Sequence, residues 1–329
     1  MILTFDKKIE TEKYAILFNT KTGLEITSGI NGHPDPTVLN MASLLDIGVM
    51  GTCKHKCKFC YQGHIDRPNM KLSDFMRIID EVSEHTNQVA LGGRGDPNHH
   101  ENFKEIVEYC RKKNVVPNYT TSGIDLDENH VEISKLCGAV AVSDYEQLYT
   151  NTALNMLIEA GIKTNIHQIY SSESHIKCIG LIEGHKPLTW GFDHTKLNAV
   201  IFLLFKPHGA GANVRHLIPT EAQIKWLGMN IFKPKSKFKI GMDSCLVNHV
   251  LQYAEPTKIQ RASVDTCEAS RMSAYITPDM KMMPCSFADE TKFSVPITQG
   301  LFPIWENSQP FNQFRNVLTK QQACCPLGL

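Results

Sequence analysis

Three cysteines within eight residues, Cys53, Cys57 and Cys60, follow the apolar run Leu44-Leu45-Asp46-Ile47-Gly48-Val49-Met50. The run reads as a strand, and the cysteines as the loop that leaves its carboxyl end. Their C-x-x-x-C-x-x-C spacing offers three thiolates to three irons of a four-iron cluster and leaves the fourth iron open to a substrate or cofactor. A closed structural site needs a full ligand set, and a zinc ion here would take His55 or His64 as its fourth ligand.

The remaining cysteines divide into two groups. Cys110, Cys137 and Cys178 fall in or beside helix-like segments, where a free thiol behaves as a small hydrophobe. Cys245, Cys267, Cys285, Cys324 and Cys325 crowd the last quarter of the chain. The N-terminus has no basic segment leading into a long apolar run, so eleven cysteines point to metal or redox chemistry rather than disulfides, and the expected location is cytoplasmic. No window approaches the ~18 apolar residues of a membrane span. Lys+Arg and Asp+Glu balance at 34 each, so no global field draws the chain to nucleic acid or a membrane surface.

The 42% hydrophobic content over 329 residues allows one large α/β domain and a small appendage. Residues 13–28 read as a hairpin turning at Lys21-Thr22-Gly23, within an N-terminal region 1–40. Between 41 and 235, strand-like runs near 45–51, 87–92, 115–121, 138–144, 163–170 and 198–206 alternate with helical segments near 71–85, 101–113, 128–136, 147–160, 172–183 and 220–229. Six such units fit an open partial (β/α)6 barrel of parallel strands, whose active site lies at the carboxyl ends of the strands. After Lys233-Pro234-Lys235 the pattern changes to short segments rich in Cys, Met and Pro, which sets a boundary near 235 and a C-terminal region 236–329.

The stretch Cys53-Lys54-His55-Lys56-Cys57-Lys58-Phe59-Cys60-Tyr61-Gln62-Gly63 resembles the signature of the radical S-adenosylmethionine (SAM) superfamily. The resemblance implies that SAM chelates the open iron, that Phe59 lies near the adenine, and that one electron from the cluster cleaves SAM to a 5′-deoxyadenosyl radical. Leu91-Gly92-Gly93-Arg94-Gly95-Asp96-Pro97 stands where the family usually carries Gly-Gly-Glu-Pro. It implies that Gly92 and Gly93 face the methionine ammonium, with Arg94 in place of the usual Glu and Asp96 as the candidate to compensate. Ser143, His167 and Leu203, on the fourth, fifth and sixth strands, complete the implied cofactor-binding set. For His167 a ring satisfied by backbone is the competing reading.

Residues 267–287 hold Cys267 and Cys285 on either side of a hairpin turning at Thr277-Pro278-Asp279-Met280. With Cys245 upstream and Cys324-Cys325 at the tail there are enough thiolates for a second four-iron cluster. The arrangement resembles the "twitch" form of the SPASM extension, which carries an auxiliary cluster. Adjacent Cys324 and Cys325 need not both ligate, and Cys245 is either a ligand or a catalytic thiol that donates a hydrogen atom. Residues 310–318 read as a short helix returning the tail to this site.

The function implied is a radical SAM oxidoreductase that abstracts hydrogen from a peptide substrate, leading to crosslinking, epimerisation or oxidation, with a flavodoxin or ferredoxin as electron donor. The alternatives are the same chemistry on a small molecule and a non-catalytic metal-binding protein that recognises a partner.

Overall fold

The structure, a computed structural model, describes residues 4–320 and 325–328. Its first three strands, β1 (Lys7–Glu10), β2 (Tyr14–Phe18) and β3 (Glu25–Gly29), form a small antiparallel sheet. The β2–β3 hairpin turns where Asn19 Oδ1 accepts from Thr22 N at 2.6 Å and Gly23 adopts φ of 75°. The expected hairpin thus has a third strand, and Ile9, Tyr14, Ile16 and Leu39 form its own small core.

The main body runs β4 (Leu44–Met50), α1 (Leu72–Val82), β5 (Gln88–Gly93), α2 (Phe103–Lys112), β6 (Val116–Thr121), α3 (Glu128–Ser134), β7 (Val140–Ser143), α4 (Leu148–Glu159), β8 (Thr164–Tyr170), α5 (His175–Ile182), β9 (Ala199–Leu204) and α6 (Glu221–Asn230). The six strands pair in parallel in chain order, as the alternation of apolar runs and amphipathic segments dictates. One face of the sheet, with Ile47, Val89, Leu91, Tyr119 and Ile166, is buried against helix stripes such as Phe75, Ile78, Ile79 and Val82 of α1. The other face carries Asp46, Ala90, Asn118, His167, Ile201 and Leu203, all only half-buried. That second face therefore lines an interior open to a ligand. Cys110 and Cys178 are buried in the helix-covered core, and Cys137 packs against it.

The sheet does not stop at residue 235. β10 (Lys239–Met242) adds a seventh parallel strand beside β9, followed by α7 (Ser244–Leu251) and α8 (Lys258–Ala262). β10 has no apolar run to announce it, and at Gly241 a Cβ would press on Ile201 Cδ1 at 2.7 Å, so the Ile201 side chain packs against the bare glycine. β11 (Ser273–Ile276) pairs in parallel with β4 on the side away from β5, placing Tyr275 beside Asp46. β12 (Lys281–Met283), α9 (Glu290–Phe293), β13 (Val295–Pro296), α10 (Phe302–Asn307) and α11 (Gln309–Lys320) complete the chain order. The β11–β12 hairpin turns through Thr277–Met280, and the ten strands form one sheet ordered β10-β9-β8-β7-β6-β5-β4-β11-β12-β13. Near the end of the chain, Trp305 Nε1 donates to Leu39 O at 2.9 Å, anchoring α10 to the segment that enters β4.

A buried lysine is one of the ties between the N-terminal sheet and the main body, beside Asn87 Nδ2, which donates to Glu25 Oε2 at 2.8 Å, and Lys163 Nζ, which donates to Thr22 O at 2.8 Å. Lys7 Nζ, buried, donates to Ser83 O at 2.9 Å, Thr86 O at 2.7 Å and Asn114 O at 3.0 Å, the carbonyls exposed where α1 and α2 end. Hydrogen bonds from a charged donor each contribute about 1.5–3 kcal/mol, and the cost of burying the ammonium, which pushes Lys7 down to about 8, offsets part of the three, so Lys7→Met should destabilise the protein by about 3 kcal/mol in urea unfolding. An unchanged midpoint would mean that the N-terminal sheet docks without this clip.

Candidate active site

Cys53, Cys57 and Cys60 leave β4 at the carboxyl rim of the sheet, each half-buried. Cys60 N donates to Cys57 O at 3.0 Å, and His55 N to Cys53 Sγ at 3.3 Å, so the loop curls with its thiols gathered. Burial pushes the Cys53 and Cys57 thiols up, and neighbouring thiols push both in the same direction. Sulfurs gathered in this way become stable thiolates when cationic iron neutralises them. Each histidine offered as a zinc ligand has its Nε2 engaged elsewhere. His55 Nε2 lies 2.8 Å from Ser122 Oγ with its ring stacked on Tyr145, and His64 Nε2 lies 3.0 Å from Cys57 O. Among the described residues no group of three or more His, Cys, Asp or Glu side chains encloses a single metal ion. A cluster that takes one thiolate per iron requires no such convergence.

The loop is held from two sides. Arg94 is 9% exposed and donates to Gly63 O at 2.8 Å and Gln62 O at 3.2 Å. From the β9 exit, Ala210 N donates to Cys60 O at 2.9 Å, and Gly209, at φ of 55°, lies where a Cβ would stand 2.3 Å from Tyr61 O. Asp96, the candidate to compensate for the absent Glu, has one carboxylate oxygen engaged. Its Oδ2 accepts from Ser122 Oγ at 2.5 Å, Ser122 N at 2.8 Å and Thr121 Oγ1 at 3.0 Å, which ties that oxygen to the end of β6.

The remaining cofactor candidates fall into distinct environments. A Cβ on Gly93, at φ of 115°, would strike Met50 O at 2.4 Å, so this glycine permits the close approach of β4 and β5. A Cβ on Gly92 would meet nothing nearer than Asp46 Oδ1 at 3.8 Å, so Gly92 leaves open space on the inner face. Ser143, His167 and Ile201 are register neighbours across β7, β8 and β9, with Leu203 two residues beyond Ile201. Neither Ser143 nor His167 makes a side-chain hydrogen bond to another described residue, so the backbone-satisfied reading of His167 does not hold. Burial pushes its imidazole down to about 4, against the Asp243 carboxylate, which raises it. Phe59 stacks near Tyr145, with ring centroids 6.2 Å apart, and Cys57 Sγ lies 3.5 Å from Tyr145 Oη.

Asp46, hidden in an apolar run, stands on the inner face. Burial pushes its carboxyl up to about 7, against a hydrogen bond from Ser286. Gln62 Nε2 donates to Tyr61 Oη at 3.1 Å and Tyr275 Oη at 3.4 Å, joining the cysteine loop to β11. Beside them lies a 490 Å³ cavity lined by Gly51, Tyr61, Gln62, Tyr275, Pro278 and Phe287, among others.

The second cysteine set comes together from four separate segments. Cys245 sits in the first turn of α7, capped by Asp243, whose side chain accepts from Leu246 N at 2.9 Å. Cys267 precedes β11, Cys285 follows β12, and Cys325 belongs to the tail. Burial pushes Cys245 up to about 12 and raises Cys267 and Cys285, with the thiols of Cys245, Cys267 and Cys325 adding to the rise at Cys285. Ala269, Tyr275, Met283, Ala288 and Phe314 form a satellite core, with Cys267, Cys285 and Leu327 packed against it. Cys324 lies outside the described residues. Sequence reasoning missed Arg94 as a clamp, Tyr145, Asp46 and the buried pair Lys206–Asp243. A lysine directly after the most apolar strand and a D-S-C helix cap were the available signals for the pair.

Residues 47–143, from β4 through β7, match the Radical SAM superfamily model. No curated protein matches the chain. Among solved structures, Streptococcus suis SuiB bound to S-adenosylmethionine is 16% identical, with TM-score 0.65 over 88% of this chain and 72% of that one. SuiB bound to the precursor peptide SuiA is 14% identical, with TM-score 0.66 over 98% and 94%. Native anSMEcpe with bound AdoMet is 13% identical, with TM-score 0.61 over 84% of each chain. At these identities the likeness is one of fold. The chain carries a radical SAM domain, which implies a 4Fe-4S cluster and SAM, and the gathered thiols and the open space at Gly92 fit that pair of cofactors.

Arg94→Ala removes two charge-assisted bonds from the cysteine loop. At about 1.5–3 kcal/mol each, alkylation of Cys60 in the iron-free protein should accelerate at least roughly tenfold, read by mass spectrometry; an unchanged rate would show the loop held by the β9 exit alone. Asp46 gives a pH signature. Its folded-state value lies above the ordinary 3.8, so the stability it contributes is present below 3.8 and lost as pH rises through about 7. Asp46→Asn should therefore gain stability relative to wild type above pH 7 and show little gain below 3.8; a pH-independent difference would contradict this environment.

Proposed function

We propose that this radical SAM enzyme modifies a peptide, with Cys53, Cys57 and Cys60 holding the SAM-binding cluster and Cys245, Cys267, Cys285 and Cys325 holding a second one. The observation that carries the reading is that Cys267 and Cys285 pack against one satellite core beside the β11–β12 hairpin, within electrostatic reach of Cys245 and Cys325 from segments far apart in sequence. Free structural cysteines need not gather in this way, and buried thiols that raise one another's pKa are costly unless iron neutralises them. This amounts to a twitch-like extension over residues 236–329, continuous with the sheet of residues 41–235. The peptide substrate is supported by SuiB, solved with its precursor peptide SuiA, and by anSMEcpe, solved with the Kp18Cys peptide.

When bound, the cluster and SAM supply a 5′-deoxyadenosyl radical able to take a hydrogen atom from substrate. Gly92 leaves the space in which SAM fits against β5, and Phe59 and Tyr145 cover the loop beside it. Ser143 and His167 present unpaired polar atoms on the inner face, where they orient the cofactor. Leu203 supplies an apolar wall in the same interior. Asp46, Tyr61, Gln62 and Tyr275 form a polar floor next to the 490 Å³ cavity through which a peptide reaches the interior. Arg94 keeps the thiols in place and keeps water from loosening the loop. A flavodoxin- or ferredoxin-type protein serves as the electron donor.

The test is anaerobic reconstitution followed by assay of 5′-deoxyadenosine with SAM and a strong reductant, with and without candidate peptides. Ala at Cys53, Cys57 or Cys60 should abolish SAM cleavage, and turnover retained by any of the three would sink the assignment. Ala at Cys267 or Cys285 should remove about four irons per chain and spare the first cluster; full iron content would remove the second. Cys245→Ala should lose iron as well. If it keeps all its iron yet halts after hydrogen abstraction, Cys245 is a hydrogen donor instead of a ligand.

A further inference from the structure

Lys206 emerges from the end of β9 with only 6% of its surface exposed. It pairs with Asp243, and its Nζ lies 4.4 Å from the centroid of the Phe287 ring. Asp243 stands two residues before Cys245, and Phe287 two residues after Cys285. The ammonium is thus wedged between the two segments that deliver these thiols, and both thiols act on it electrostatically. Burying an ammonium costs several kcal/mol, which one carboxylate offsets only in part. A purely structural tie between the β9 exit and α7 would be met at lower cost by an apolar contact. At Cys245 the influence of the ammonium exceeds that of the Asp243 carboxylate, so the pair presents its positive end to the thiol set.

We infer that Lys206 raises the reduction potential of the iron–sulfur cluster held by Cys245, Cys267, Cys285 and Cys325, an inference that rests on the second cluster proposed above. One-electron reduction adds a negative charge to the cluster. A fixed cation held between the segments that deliver the ligands, shielded from water, stabilises the reduced form more than the oxidised one, because screening is weak in the interior. Asp243 holds the ammonium in position and tempers its field. The Phe287 face holds the same cation from the other side through its ring quadrupole. Lys206 and Asp243 therefore have opposite effects on the cluster, and that opposition separates an electrostatic role from a merely structural one.

The experiment uses the full chain with Cys53, Cys57 and Cys60 all replaced by Ala, reconstituted anaerobically so that only the second cluster is present. Iron per chain is measured first. The potential is then titrated with dithionite under electron paramagnetic resonance. Lys206→Gln should keep about four irons and shift the midpoint to more negative values, lowering the ratio of reduced to oxidised cluster at a fixed potential at least about tenfold, about 59 mV for a one-electron couple. Lys206→Arg should stay near the parent value. Asp243→Asn, which keeps a helix-capping side chain, should shift the midpoint in the positive direction. An unchanged midpoint in either neutralising variant with its iron retained would overturn the inference and leave Lys206 as a tie between loops. Should Lys206→Gln lose its iron, the sign of the Asp243→Asn shift decides. If the parent triple variant binds no iron, the second cluster itself is refuted and the inference falls with it, an outcome read before any potential is measured.

Discussion

Two parallel ladders meet on β4. On one edge it pairs with β5, which opens the barrel, and on the other with β11, which comes from the far end of the chain. Parallel strands cannot be joined by a tight turn, so the strands on either side of β4 must come from distant segments, and the whole barrel intervenes between β4 and β11. The consequence is positional. The cysteine loop leaves the carboxyl end of β4, and the segments carrying Cys267 and Cys285 flank the β11–β12 hairpin paired alongside it. The separation of the two cysteine sets is thus set by backbone hydrogen bonds, whose geometry tolerates little variation. Gly48 reflects the same crowding, since a Cβ there would lie 2.6 Å from Tyr275 Oη.

Charge is handled differently at the two sites. The rim triplet is half-buried, and its loop is tied down by carbonyls that accept from Arg94 and Ala210, so the positive charge of Arg94 serves the backbone and not the sulfurs. At the second set a buried lysine, paired with Asp243, lies between the segments that carry Cys245 and Cys285 and acts on both thiols electrostatically. Desolvation makes each uncompensated thiolate expensive at the second site, so a permanent cation has its largest effect there. At the rim, water and ligand share that task.

The legibility of this chain in sequence followed the length of its apolar runs. The six strands from β4 to β9 stood out because each is an apolar run alternating with a helical segment, and the cysteine triplet stood out by spacing alone. β10 did not, since Lys-Ile-Gly-Met is short and gains its pairing from β9, whereas the β11–β12 hairpin was legible from its turn and only the parallel pairing of β11 with β4 was not. The boundary drawn near 235 marks a real change of pattern, yet the sheet runs through it. Asp46 was hidden for the opposite reason, as one polar residue inside a strong strand signal. Arg94 and Asp96 were visible as residues, but the loop each holds was not, because their partners are the carbonyls of Gln62 and Gly63 and the hydroxyls of Thr121 and Ser122.

The inner face of the sheet explains why a polar residue inside an apolar strand is tolerable here. A strand alternates its side chains between two faces, and here only one face is sealed by helices. Asp46, Asn118 and His167 occupy the unsealed one, and burial pushes the Asp46 carboxyl up to about 7 with only the Ser286 hydroxyl opposing the shift. Such a residue weakens the fold when the interior holds only protein and water. It becomes favourable when a ligand with complementary donors fills the space, so the stability given up along β4 is recovered on binding. The strand that positions both cysteine sets is thereby also the one that couples the state of the interior to the stability of the whole.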